Sequence, residues 1–279
     1  MKFLKMQGTG NDFVVVDGLR DRASARDWTA LARSICDRHF GVGSDGLLLV
    51  APSERADFRM RMWNPDGSES EMCGNGIRCF AKYLYDAGLV GRAEMRVETG
   101  AGVLDLVVHA RDGAAERVTV SMGVPELRPE RIPVAVAGER AFDLPLDGVG
   151  AEVIVNCVSM GNPHAVMFLD RPVADFPLEA VGPLVERHSL FPRRVNFEIA
   201  SRRRPGELDA RVWERGAGIT LACGTGACAV AAAARLKGLT GDRTIVNLPG
   251  GSLELEWDGR GAILMTGPAA LVFEGNWPE

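Results

Sequence analysis

The chain has 279 residues, of which 46% are hydrophobic and 25% charged, with a formal net charge of −5. Its length suits one large domain or two of about 100 to 150 residues, and its acidic balance excludes the basic footprint of a nucleic-acid binder. No apolar run approaches the roughly 20 residues of a membrane-spanning helix, and the opening MKFLKMQ reads as a strand rather than a signal peptide, so the expectation is a cytoplasmic globular protein with no membrane partner.

In chain order, short β-branched or apolar runs come first: FVVVD from 13, GLLLV from 46 and FRMRMW from 58, separated by Gly and Asp turns. They predict strands. Between them, Asp27 to His39 has helical spacing at Trp28, Leu31, Ala32 and Ile35, and 74–87 repeats it at Ile77, Phe80, Ala81 and Leu84. Strands are predicted again near 94, 103 and 116. The second half repeats the recipe, with strands near 152, 164, 195 and 208, helices over 179–187 and 224–237, and closing strands near 244, 252, 262 and 270.

Two strings recur across the halves, and such recurrence is a sign of internal duplication. CGNGIRCFAKYL from 73 and CGTGACAVAAAA from 223 share Cys-Gly-x-Gly ahead of a helix; VSMGVP from 120 and VSMGNP from 158 share a strand end and a turn. The fold class expected is α+β, in two pseudo-symmetric halves, each a curved, mostly antiparallel sheet wrapped around a central helix, with the active site in the cleft between them. The halves are placed at 1–123, to which 267–279 returns, and 124–266. The strand AALVFEG, 269–275, suits either that return or an apolar dimer face.

Six cysteines, Cys36, Cys73, Cys79, Cys157, Cys223 and Cys228, would suggest disulfides in a small secreted chain, but a chain this long has core enough to fold without them. The spacings within the close pairs are six and five residues and the four histidines are scattered, so a zinc site is not expected. Cys36, Cys79, Cys157 and Cys228 read as core residues. Cys73 and Cys223 differ, because a Cys before Gly-x-Gly at a helix start sits where unpaired backbone N–H groups and the positive end of the helix dipole meet. That setting is expected to lower the thiol toward neutrality, and the glycines let a ligand carboxylate approach the same donors. The second helix is apolar on every face, from Ala227 to Ala234, and is expected to be buried. Two such helix starts facing one cavity would set a thiol on each side of a single carbon, the geometry that stereoinversion needs.

From end to end the sequence resembles the diaminopimelate epimerases. The resemblance is carried by MQGTGNDFVVVD at 6–17, FGVGSDG at 40–46, NPDGSESEMCGNGIRCFA at 64–81, VSMGNPH at 158–164, RVN at 194–196, ERGAG at 214–218, ACGTGACA at 222–229 and LPGGSLE at 248–254. It implies interconversion of LL- and meso-diaminopimelate, a step toward lysine and peptidoglycan precursors, without pyridoxal phosphate, other cofactor or metal, by a homodimer. It further implies that Cys73 and Cys223 alternate as acid and base, and that Gly74, Asn75, Gly224 and Thr225 offer N–H groups to the carboxylate at the reacting centre. Asn11, Asn64, Asn162, Asn196, Glu214 and Arg215 would hold the ammonium groups and the distal carboxylate, while His164 and Glu214 tune the thiols. Read without the resemblance, Asn11, Asn64 and Asn162 are turn formers in GTGND, NPDG and GNP, and Asp12 and Asp66 remain turn residues. Some relatives carry glutamine where this chain has Gly46, which removes one amide from the distal end.

Other readings share these features. Proline racemase-like enzymes and PhzF-like isomerases have the two-half fold; a non-catalytic amino-acid-binding protein would keep the cleft without the chemistry; a thiol redox protein would use the two cysteines but lacks a CxxC pair.

Overall fold

A computed structural model describes residues 1–20 and 26–278. The chain forms two compact units, Met1–Ser121 with Thr266–Glu279, and Met122–Met265.

In the first unit β1 (Lys2–Gly8) pairs antiparallel with β2 (Asn11–Asp17), which runs parallel to β3 (Gly46–Ala51). β3 pairs antiparallel with β4 (Phe58–Trp63), which carries the short β5 (Glu69–Ser70) and runs parallel to β6 (Glu94–Thr99). β7 (Gly102–Arg111) and β8 (Ala114–Ser121) continue antiparallel from β6. The sequence predicts β2 and β3 because their apolar runs are unbroken, and both are buried along nearly their whole length, as parallel strands covered on two faces should be.

The helix α1 (Trp28–Ile35) starts where Asp27 accepts a hydrogen bond from the Ala30 amide at 3.0 Å. It stops four residues short of the predicted end, because the Asp37 carboxylate takes the amides of His39 and Phe40 at 2.7 and 2.8 Å and turns the chain. α2 (Gly74–Asp86) is buried at every position from Gly74 to Leu84 and packs on β8, β1 and β2.

In the second unit β9 (Leu144–Pro145) precedes β10 (Ile154–Ser159), and β10 pairs antiparallel with β11 (Pro163–Leu169). β11 runs parallel to β12 (Asn196–Arg204), which is antiparallel to β13 (Glu207–Glu214); β13 carries β14 (Gly218–Thr220) and runs parallel to β15 (Arg243–Leu248), which pairs with β16 (Gly251–Glu256). α3 (Leu178–Glu186) lies before β12 and α4 (Gly224–Leu236) before β15. As expected of an all-apolar helix, α4 is buried throughout Ala227–Ala234. β17 (Leu264–Pro268) and β18 (Ala270–Asn276) close the chain, β18 pairing with β1.

The two units repeat one pairing scheme. Antiparallel, parallel, antiparallel, short hairpin, helix, parallel, antiparallel describes β1 to β7 and again β10 to β16. The equivalence has a register: Gly46 sits opposite Phe13 in one parallel pair and Asn196 opposite His164 in the other. Ten residues separate Trp63 from Cys73 and Trp213 from Cys223, so Asn64 and Glu214 are counterparts as well. The VSMG strings, by contrast, do not lie at equivalent places: one ends β8 and the other ends β10, the counterpart of β1, so Gly161 at φ 92° corresponds to Gly10 at 81° rather than to Gly123.

Candidate active site

In the first unit Cys73 is the N-cap of α2, in extended conformation at φ −140° and ψ 121°, and its Sγ accepts from the Gly76 amide at 3.5 Å. The Cys73 thiol faces Asn11 Oδ1 at 3.6 Å, and Asn75 Nδ2 donates to the same oxygen at 3.3 Å. The orientation of the Asn11 amide has a cause: its Nδ2 donates to the Asp45 carboxylate, an acceptor only, which leaves Oδ1 for the thiol. Arg38 braces that carboxylate at 2.7 Å and holds Asp12 at the same distance. Arg78, fully buried, donates to Asn75 Oδ1 at 2.9 Å, Thr9 Oγ1 at 3.0 Å and Gly74 O at 2.9 Å, fixing the first turn of α2 from beneath.

Asp12 corrects an expectation. It is not a turn residue but lies in β2, ion-paired with Lys5 and Arg38. Burial alone would raise its carboxyl, yet hydrogen bonds from Arg38 and Lys5 outweigh burial and hold it at about 2. Asp66 is a turn residue as predicted, accepting from the Ser68 amide at 2.8 Å. Asn64 stands in the same turn, donating to Ser68 Oγ at 3.0 Å. At Gly46 a Cβ would stand 3.0 Å from Trp63 O and 3.1 Å from Met62 Cε, so a glutamine would require both neighbours to yield.

In the second unit Cys223 is the N-cap of α4, at φ −126° and ψ 114°, with the Gly226 amide 3.4 Å from Sγ. A continuous chain of contacts leads away from the sulfur: Thr225 Oγ1 at 3.4 Å, then Asn162 Nδ2 at 3.3 Å from that hydroxyl. Asn162 Oδ1 is 2.9 Å from His164 Nε2, and His164 Nδ1 is 2.7 Å from Glu198 Oε1. His164 and Glu198 are buried, at 0% and 1% exposure. Glu214, at the end of β13, accepts from the Thr220 hydroxyl, and burial raises its carboxyl.

The expected lowering of the thiols is reversed at Cys223. Burial comes first and the negative charges of Glu214 and Glu198 second, and together they push this thiol well above 9.0 despite the helix start, the Thr225 contact and the Gly226 amide. One helix end contributes a partial charge, whereas two carboxylates in a dry site contribute whole ones.

Asn196 ties backbone rather than projecting freely: Nδ2 donates to Pro163 O at 2.9 Å and Oδ1 accepts from the Arg215 amide at 2.9 Å. Arg215 donates from its guanidinium to Arg193 O at 3.0 Å. Below that loop the buried Glu186 accepts from Trp213 Nε1 at 2.7 Å and from the Gly216 amide at 3.2 Å. Asp45, Glu186 and Glu198 were not singled out in the sequence. Glu186 and Glu198 act through the tertiary register of a helix and a strand, where a lone carboxylate has no motif around it, while Asp45, in the loop before β3, lies inside the FGVGSDG string.

The duplicated α+β scheme is a fold shared with a class of solved proteins named as racemases, epimerases and isomerases. Similar solved structures include a probable proline racemase from Agrobacterium radiobacter, at TM-score 0.71 and 18% identity over 99% of this chain and 92% of that one. A PhzF-family phenazine biosynthesis protein from Bacillus anthracis gives 0.68 and 17% over 99% and 98%. Within that class the chain belongs to the diaminopimelate epimerase family, whose model matches residues 3–128 and 156–272. Relatives named diaminopimelate epimerase include those of Desulfitobacterium hafniense, 50% identical over 99% of this chain and 97% of that one, and Moorella thermoacetica, 49% identical over 100% and 99%. The protein is therefore an isomerase.

Proposed function

We propose that the protein epimerises LL-diaminopimelate to meso-diaminopimelate, with Cys73 and Cys223 exchanging one proton at a single Cα and no added cofactor. The observation that carries this reading is the match to relatives named for that reaction over essentially the whole chain. A cysteine N-capping the equivalent helix in both units supports the two-base chemistry.

Inversion at carbon needs a base on one face and an acid on the other, so the reading requires both sulfurs to reach the same Cα. The amides of Gly74, Asn75, Gly224 and Thr225 lie in first helical turns, where intrahelical pairing has not begun, and would receive the carboxylate as charge develops on it. Asn11, Asn64, Asn162, Asn196, Glu214 and Arg215 would hold the ammonium groups and the distal carboxylate, Arg215 through its planar fork. Because Cys223 is pushed up, its sulfur enters the cycle protonated. When it must act as base, the adjacent Glu214 carboxylate, itself raised, is the group to take that proton: S–H and COO⁻ become S⁻ and COOH. His164 would tune the same sulfur through Asn162 and Thr225.

The same reading places the enzyme in the cytoplasm, supplying lysine and peptidoglycan precursors. It is read as a homodimer, and the half-exposed Leu271, Val272 and Phe273 of β18 offer the apolar surface for it. Incubation with LL-diaminopimelate in deuterated buffer, with nothing else added, should place deuterium at one Cα and give the meso isomer. Cys73→Ala and Cys223→Ala should each abolish this. Turnover surviving in either variant, or label at both centres, overturns the two-base reading.

A further inference from the structure

We propose that Glu198 is a positioning residue for Cys223. On this view it holds the Nδ1 hydrogen of His164, keeps a second hydrogen on Nε2, and thereby sets the direction of every hydrogen bond from His164 through Asn162 and Thr225 to the sulfur. The proposal rests on Cys223 being an acid–base group.

The argument starts from a difference between the duplicated units. Under Gly76, in the first turn of α2, the nearest side chains besides Cys73 are Leu48 and Phe13, with Leu48 Cδ2 3.4 Å and Phe13 Cε1 3.5 Å from where a Cβ would stand. By strand register the counterparts of Leu48 and Phe13 in the second unit are Glu198 and His164. Under Gly226 it is Glu198 Oε1 that approaches, 2.7 Å from the equivalent Cβ position. The fold at this place is therefore satisfied by two apolar side chains. A buried carboxylate and imidazole are costly substitutes, and Glu198 Oε2 is buried without a hydrogen-bond partner among the described residues. Folding does not require them, which points to chemistry.

Bond directions give the role. A carboxylate oxygen only accepts, so Nδ1 carries hydrogen toward Glu198 Oε1. With the Asn162 carbonyl toward Nε2, that nitrogen donates too, and the amide N–H of Asn162 is left to donate to Thr225 Oγ1. The hydroxyl, already accepting, then turns its own hydrogen to Cys223 Sγ. Without the carboxylate, the ring can hold hydrogen on Nδ1 alone, the Asn162 amide reverses to donate to a bare Nε2, and the Thr225 hydroxyl turns away from the sulfur to Asn162 Oδ1. The two bonds of Asn162 invert, and the thiolate loses its hydroxyl donor.

The test uses full-length protein labelled with ¹⁵N-histidine, the His164 signals being identified by their loss in His164→Phe/Glu198→Leu. In the unsubstituted protein at neutral pH both ring nitrogens of His164 should show the shifts of protonated nitrogen, and in Glu198→Gln only one should. Glu198→Gln should lower kcat for epimerisation by about 10- to 100-fold, part of what a positioned acid or base contributes, with KM within about two-fold. His164→Phe/Glu198→Leu, built on the pattern of the other unit, should fold with an unreduced melting temperature and turn over no faster than Glu198→Gln. A bare Nε2 in the unsubstituted protein, an unchanged His164 spectrum in Glu198→Gln, or full activity of the double variant overturns the proposal. The spectra need no turnover, so a protein that fails to epimerise diaminopimelate but shows the doubly protonated ring would defeat the proposed reaction and leave the His164–Glu198 arrangement standing.

Discussion

At the residue scale the two cysteines occupy the same backbone position and differ in their surroundings. Cys73 is half-buried against the neutral Asn11 and Asn75, whereas Cys223 is 7% exposed and shares its site with Glu214 and Glu198. Alkylation of Cys223 by a small neutral reagent, followed at the level of its peptide, should rise with pH only beyond the ordinary thiol value of 9.0. Glu214→Gln removes one of the two charges raising it and should move that rise to lower pH. A profile centred near neutrality in the unsubstituted protein would show that the helix start outweighs burial after all. The sequence made both cysteines legible, because Cys-Gly-x-Gly before a helix has a physical meaning without any tertiary knowledge. It did not reveal the sign of the shift at Cys223, which depends on burial that no local pattern encodes and on two glutamates, Glu214 and Glu198, 9 and 25 residues away in the chain.

At the element scale, α3 acts as a clamp on the β13–β14 hairpin. Its last residue, Glu186, accepts from Trp213 and from Gly216, on either side of Glu214 and Arg215. A Cβ at Gly182, one turn earlier, would stand 2.6 Å from the Trp213 ring, so helix and indole are packed as closely as glycine permits. Glu186→Ala leaves the indole N–H and the Gly216 amide without their acceptor, at a cost of about 1 to 3 kcal/mol each if they stay buried. The hairpin should loosen. In steady-state assays with diaminopimelate this should raise KM through Arg215, assigned to binding, and lower kcat through Glu214, assigned to the Cys223 proton. Unchanged values of both would argue that Glu186 serves stability alone. Elements were the most legible level: unbroken apolar runs marked β2 and β3, and the alanine run marked α4 as buried. What escaped was the early end of α1, where one aspartate side chain competed with the helix for two amides, and the two- and three-residue strands β5 and β14, too short to carry any periodicity.

At the scale of the whole molecule the duplication is written in the order and direction of strand pairing, and the repeated Cys-Gly-x-Gly string was enough to suggest it, whereas the VSMG repeat falls at unrelated places. The extent of the match was not legible, because His164 and Phe13, Glu198 and Leu48, Glu214 and Asn64 occupy equivalent places with unrelated chemistry. Both units also bury thiols that take no part in the proposed reaction. Burial pushes Cys79 and Cys157 up to about 12, while the unfolded chain ionises near 9.0. Their contribution to stability is complete below pH 9 and is lost as pH rises toward 12, by up to about 1.4 kcal/mol per thiol for each pH unit. Denaturant titrations should show that decline between pH 9 and 12, and Cys79→Ala/Cys157→Ala should flatten it while lowering stability at neutral pH. The twin helix starts have a last consequence, for the protein's mutational history. Gly76 and Gly226 are the same letter in the same motif, yet an added methyl at 76 meets only ordinary van der Waals neighbours, whereas at 226 it collides with a carboxylate oxygen. Random drift under selection for growth should let alanine accumulate at 76 and purge it from 226.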